Sequence, residues 1–204
     1  MYKKFINREK GITGLETAII LIAFVVVAAV FAYTALSAGL FSTQKSQEAV
    51  YSGLREAQST LELRGGVIAT SNDTGANGTV STISFTVANV LGGQPIDFTE
   101  PTDANSDGVT DNGSSNVVVI NYTDDDQAID NLAWTIAKLG NADSDNLLEN
   151  NERFEITLTN LTGALTTDLS VKKTFNLEVI TPGGATLNIE RTTPPWIDPI
   201  MNLR

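Results

Sequence analysis

The hydrophobic rhythm of the chain changes twice. From Ala18 to Phe41 the sequence AIILIAFVVVAAVFAYTALSAGLF runs 24 residues without a charge. At helical rise this reaches roughly 36 Å, enough to cross a hydrocarbon core of about 30 Å. Over 45–63 the pattern becomes striped. Val50, Leu54, Ala57 and Leu61 recur at helical spacing among Lys45, Glu48, Arg55, Glu56 and Glu62. The first break is Gly65-Gly66, which reads as a helix stop. The spacing therefore predicts one helix over 13–64, about 50 residues and near 80 Å long.

After Gly66 the period shortens to two. Ile83, Phe85 and Val87 alternate with Ser84 and Thr86; Phe154, Ile156 and Leu158 alternate with Glu155 and Thr157. Val117–Tyr122 is a short apolar strand, Phe175, Leu177 and Val179 form another, and Leu187 and Ile189 a last one. Thr-rich strands between Gly/Asn/Asp turns predict an antiparallel β-sandwich with one wet face, immunoglobulin-like in layout. Trp134 reads as a core aromatic. The fold class is α+β, with a long N-terminal helix followed by a β-sandwich over 65–204.

A helix apolar on every face must be surrounded, by lipid or by copies of itself. Ala28/Ala32 and Ala35/Gly39 place small residues four apart, which permits close helix approach. Ahead of the helix, Lys3, Lys4, Arg8 and Lys10 stand against a single Glu9, which orients the N-terminus inward. Two other readings stay open at this point. One is a simple membrane anchor. The other is an ordinary secretory signal cut near Ser37-Ala38-Gly39, although the run is longer than a usual signal core and its helical pattern continues past residue 41.

Lys10-Gly11 followed by Ile12-Thr13-Gly14-Leu15-Glu16 and a long apolar helix resembles the class III signal peptide of archaeal flagellins (archaellins) and type IV pilins. The resemblance implies that residues 1–11 are removed by a membrane-embedded prepilin-type peptidase cutting between Gly11 and Ile12. A filament-core helix over 12–64 would remain, and the net charge would pass from −11 to −14. Glu16 would then be the fifth mature residue, the acidic position of the family. A carboxylate at the edge of an apolar helix wants a partner, which the new α-amino group of a neighbouring subunit would supply; it also suits the first turn of a helix. Two later stretches, Trp134 to Leu158 and Gly183 to Pro194, look like recurrent archaellin segments.

Composition removes most chemistry. Cysteine and histidine are absent, so there are no disulfides, no thiol nucleophile and no imidazole base. A charge of −11 argues against nucleic acid. The carboxylate clusters have no nucleophile or base placed with them, so no enzyme is expected. One cluster has calcium-like spacing: counted from Asn141, oxygen donors fall at Asn141, Asp143 and Asp145, then the Leu147 carbonyl, Glu149 and Glu152. A structural calcium loop and a plain acidic turn are the two readings. The loop from Asp103 to Asp111 matches only the first half of that spacing, and Asp124-Asp125-Asp126 reads as an exposed turn. Sequons for N-linked glycans occur at Asn72, Asn77, Asn112, Asn121 and Asn160. The first three lie in polar turns, whereas the last two end strands.

The resemblance implies a structural subunit that polymerises with itself into a helical extracellular filament for swimming. It would start as a precursor in the cytoplasmic membrane and depend on an assembly platform and motor. An adhesive pilin is the nearest alternative, and a membrane-anchored extracellular binding domain is the alternative of another class.

Overall fold

The structure, a computed structural model, describes residues 9–58, 60–90 and 93–203, with side chains over 14–54, 60–90 and 93–203. The basic residues Lys3, Lys4 and Arg8 lie outside the described residues. The chain divides into two units after Ser52. Most of the first is α1 (Glu9–Gln58), a single helix of 50 residues and about 75 Å. It contains no proline, and its two mid-helix glycines, Gly39 and Gly53, face open space, so nothing forces a kink.

Among the described residues the second unit has eleven strands: β1 (Leu61–Thr70), β2 (Thr82–Asn89), β3 (Ile96–Asp97), β4 (Val119–Asp124), β5 (Ala128–Ile129), β6 (Trp134–Leu139), β7 (Leu147–Leu148), β8 (Arg153–Leu158), β9 (Thr174–Ile180), β10 (Thr186–Thr192) and β11 (Ile200–Leu203). One helical turn, α2 (Leu161–Ala164), follows β8. Five strands form one sheet in the order β11-β1-β2-β8-β6, four form a second in the order β10-β9-β4-β5, and β3 pairs with β7. Every pairing is antiparallel.

Alternation explains the burial. Ile83, Phe85 and Val87 of β2 face inward and stand opposite Leu158, Ile156 and Phe154 of β8. From the second sheet, Ile120 and Tyr122 of β4 join Phe175, Leu177 and Val179 of β9 in the same core. Phe98 packs edge-on against both Trp134 and Phe154, with ring centres 5.8 Å apart in each pair. Trp134 is 1% exposed, as a core aromatic should be.

The structure corrects the helix boundary. The helix ends at Gln58, and 61–64 belongs to β1. Leu61 and Leu63 satisfy a helical stripe and a strand alternation alike, so spacing alone could not decide. Pairing with Asn89 and Val87 of β2 does. Gly65-Gly66 is not a helix stop but a bulge within β1, where the register jumps from Arg64 to Val67. Two extra residues keep the parity, so Leu61, Leu63, Val67 and Ala69 all point to the core side. Gly65 has φ +91, and a Cβ on Gly66 would lie 2.6 Å from the Asn202 amide oxygen. The backbone at Gly65 therefore demands glycine, whereas at Gly66 the exposed Asn202 side chain can swing away from a Cβ.

Phe85→Ala should destabilise the β-unit by about 3–5 kcal/mol through lost burial and a residual cavity. Urea unfolding of the detergent-solubilised chain, followed by tryptophan fluorescence, measures it; a loss below 1 kcal/mol would contradict this core assignment.

Candidate functional site: the apolar helix and the acidic loops

Large apolar side chains cover every face of α1. Phe24, Phe31 and Tyr33 are each more than 70% exposed, and so to a lesser degree are Ile19 to Ile22, Val25 to Val27, Leu36, Leu40 and Phe41. The stretch Gly14–Leu54 is long and apolar enough to cross a membrane. Ala28, Ala32, Ala35 and Gly39 are spaced by 4, 3 and 4 residues, so they share one narrow stripe. Nothing stands within 4 Å of where a Cβ on Gly39 would be. Glu16, near the start, is exposed.

Four hydroxyls on this helix are turned onto its own backbone. Thr17 donates to the Gly14 carbonyl at 3.1 Å, Thr34 to Phe31 at 2.9 Å, Thr43 to Leu40 at 2.9 Å and Ser46 to Ser42 at 3.0 Å. Their donor protons are thus satisfied whatever surrounds the helix. Each hydroxyl shares a carbonyl that already accepts a helical N–H, an option open to Ser and Thr within a helix.

The loop 141–152 is organised by carboxylates that reach backbone N–H groups. Glu152, 7% exposed, accepts from Asp143 N–H and Glu149 N–H, both at 3.0 Å. Asp143 accepts from Asp145 N–H and Asp145 from Leu147 N–H, each at 2.9 Å. Leu147 itself lies in β7, opposite Asp97. Among the described residues no three acidic side chains converge to hold a metal. Of the series Asn141, Asp143, Asp145, Leu147, Glu149 and Glu152, the carboxylates of Asp143, Asp145 and Glu152 accept from backbone N–H groups of the loop itself. The loop from Asp103 to Asp111 behaves alike: Asp103 accepts from Asp107 N–H and Gly108 N–H, and Asp111 from Ala104 N–H.

Asp124-Asp125-Asp126 forms the turn between β4 and β5, and its first member is bound inward. Tyr122, buried against Phe175, donates its hydroxyl to Asp124 at 2.8 Å. Asp124 also accepts from the N–H groups of Asp126 and Gln127. Desolvation opposes its charge, but these donors outweigh it and hold the carboxyl below the usual aspartate range. Burial, then the neighbouring carboxylates, push the Tyr122 phenol up.

The five sequons separate by the freedom of the acceptor amide. Asn72, Asn77 and Asn112 are exposed in turns. Asn121, on β4, is half-buried and accepts from Asn131 N–H at 3.0 Å. Asn160 holds φ 52 and uses its own amide nitrogen to bond the Ser106 carbonyl at 2.5 Å.

Two outcomes follow from these loops. Glu152→Ala removes the acceptor of the Asp143 and Glu149 N–H groups, both on exposed residues, and should cost about 1–2 kcal/mol, whereas a chelator should leave the melting temperature of the parent chain unchanged; differential scanning calorimetry reads both. Asp124, whose folded value is lowered, adds stability that is complete above the ordinary aspartate range and is lost as the pH falls through the lowered value. The melting difference between the parent and Asp124→Asn should therefore be largest near neutrality and vanish in strong acid. A difference that grows in acid would overturn that assignment.

Residues 11–191 match the archaeal-type flagellin family. The chain is 39% identical to "Probable flagellin 1" of Archaeoglobus fulgidus, over 100% of this chain and 99% of that protein. Its fold is similar to a subunit of the archaeal flagellum of Methanospirillum hungatei, at 31% identity and TM-score 0.63, covering 93% of this chain and 98% of that one. The crystal structure of archaeal flagellin FlaB1 from Methanocaldococcus jannaschii shares the fold, with TM-score 0.53, 11% identity and coverage of 70% and 95%. The chain belongs to the archaeal-type flagellin family.

Proposed function

We propose that the chain is the repeating subunit of an archaeal flagellar filament, in which α1 leaves the membrane to pack among identical helices and the β-unit forms the outer coat. The carrying observation is the helix itself, apolar all round and exposed along its described side chains. Passing from lipid to a helix bundle gains little hydrophobic free energy, since both are apolar. Packing across the stripe of Ala28, Ala32, Ala35 and Gly39 would supply the cohesion. Thr17, Thr34, Thr43 and Ser46, already bonded to the backbone, strand no donor when the helix exchanges one apolar surrounding for the other.

Processing between Gly11 and Ile12 by a prepilin-type peptidase fits this reading. The family match opens at residue 11, and removal of 1–11 discards four of the chain's cations. Glu16 would then sit near the new N-terminus and pair with the α-amino group of a neighbouring copy. Rotation by a motor at the cell surface would turn the filament into a swimming organ. Glycans are expected on Asn72, Asn77 and Asn112, whose amides are free, and not on Asn121 or Asn160.

Mass spectrometry of filaments sheared from cells tests processing and modification together. An N-terminus at Ile12 with glycopeptides only over the three exposed sequons is expected; an N-terminus near residue 40, or an intact Met1, defeats the filament reading. Ala32→Leu with Ala35→Leu should lower filament yield by about tenfold, equivalent to ~1.4 kcal/mol, with β-unit melting unchanged.

A further inference from the structure

An asparagine followed by glycine can react with its own backbone, because no Cβ on the glycine hinders approach of its nitrogen to the side-chain carbonyl. The chain has three Asx-Gly dyads of this kind: Asn77-Gly78, Asp107-Gly108 and Asn112-Gly113. The fold restrains two of them. Gly78 is buried, its N–H donates to the Gly75 carbonyl at 3.3 Å, and a Cβ there would lie 2.4 Å from the Asp73 carbonyl oxygen. Gly108 is buried too, and its N–H donates to the Asp103 carboxylate at 3.0 Å. The Asp107 carboxylate is itself taken, by Val109 N–H and the Asn105 amide.

The third dyad is open. Asn112 and Gly113 are both exposed, in a turn that Ser114 N–H closes onto the Asp111 carbonyl at 3.2 Å. The flanks are pinned: Asp111 N–H donates to the Thr102 carbonyl, and Thr102 N–H to the Ser114 hydroxyl. Between them, neither Asn112 nor Gly113 makes a hydrogen bond among the described residues. Nothing stands within 4 Å of where a Cβ on Gly113 would be. The attacking nitrogen is thus unbonded, the side-chain amide is free to turn, and water reaches both.

We propose that Asn112 is a site of spontaneous deamidation, at which aspartate and isoaspartate replace the asparagine. Base removes the Gly113 N–H proton, the nitrogen attacks Asn112 Cγ, and the Cγ–Nδ2 bond breaks with release of ammonia. Water then opens the cyclic imide at either carbonyl, giving aspartate or isoaspartate without any change of oxidation state. The product lacks the nitrogen to which an N-linked sugar attaches, so the sequon Asn112-Gly113-Ser114 is lost for good. A new carboxylate also stands beside Asp111. The reaction proceeds whether or not the chain polymerises.

The test incubates the full-length chain, made without glycans and held in detergent at mildly alkaline pH, and follows both Asn-Gly dyads by isoaspartate-resolving peptide mass spectrometry. Asn112 should convert at least about tenfold faster than Asn77, a difference in barrier set by the fold. In urea, where Gly78 loses its restraint, the two rates should converge. Equal rates in the folded chain, conversion at neither residue, or a gap that persists in urea overturns the proposal.

Discussion

A helix that is apolar on every face has no stable place in water, and the rest of the molecule is arranged around that fact. Among the described residues, seventeen large apolar side chains between Leu15 and Tyr51 are more than half-exposed. Covering one such side chain is worth about 1.5–3 kcal/mol, so the full set amounts to tens of kcal/mol, against a typical domain stability of about 5–15 kcal/mol. No adjustment within the β-unit could offset that. The helix must be covered from outside, and its surface is prepared for an apolar covering: uncharged from Ala18 to Phe41, with the Thr34 hydroxyl bonded to its own turn.

The β-unit complements this by being complete without the helix. Its core draws on both sheets, from Val67 to Leu203, and closes around Trp134, Phe98 and Phe154. Its loops are set by side chains: Glu152 gathers one, Asp103 and Asp111 another, and Gln127 ties the β4–β5 turn to Thr166 and Thr167. At one sheet edge, the Ile136 N–H of β6 is taken by Glu100 at 2.7 Å, and Lys138 bonds the Ser144 carbonyl. Such caps prevent indiscriminate strand addition. For a subunit at high local concentration, that restraint matters as much as stability.

The sequence was most legible where one pattern had one meaning. The uncharged run from Ala18 to Phe41 and the alternations of β2, β8 and β9 admit a single geometry each. It was ambiguous at Leu61-Glu62-Leu63-Arg64, where helical and extended spacing coincide and only the β2 partner decides. Short strands such as β3, β5, β7 and β11 carry two to four residues, too few for any period to show. The acidic loop 141–152 taught a different lesson. Calcium spacing and a chain of Asx turns require the same residues at the same intervals, and what separates them is where the carboxylates point. Residue spacing holds no information about that direction.

Membrane exit and filament cohesion pull the two units toward different solutions. In the proposed filament, lipid and helix bundle would be equally apolar, so moving α1 between them would yield little net energy and close packing along Ala28 to Gly39 would supply what the hydrophobic effect does not. Tight packing of the helices also crowds the acidic β-units, whose mutual repulsion falls off only over about 8 Å at physiological salt. A coat held by helices alone would therefore work against its own core. The β-unit has few cations to set against that repulsion, seven Lys and Arg over residues 60–204, and one of them, Lys173, is already committed to Asp126 within its own chain.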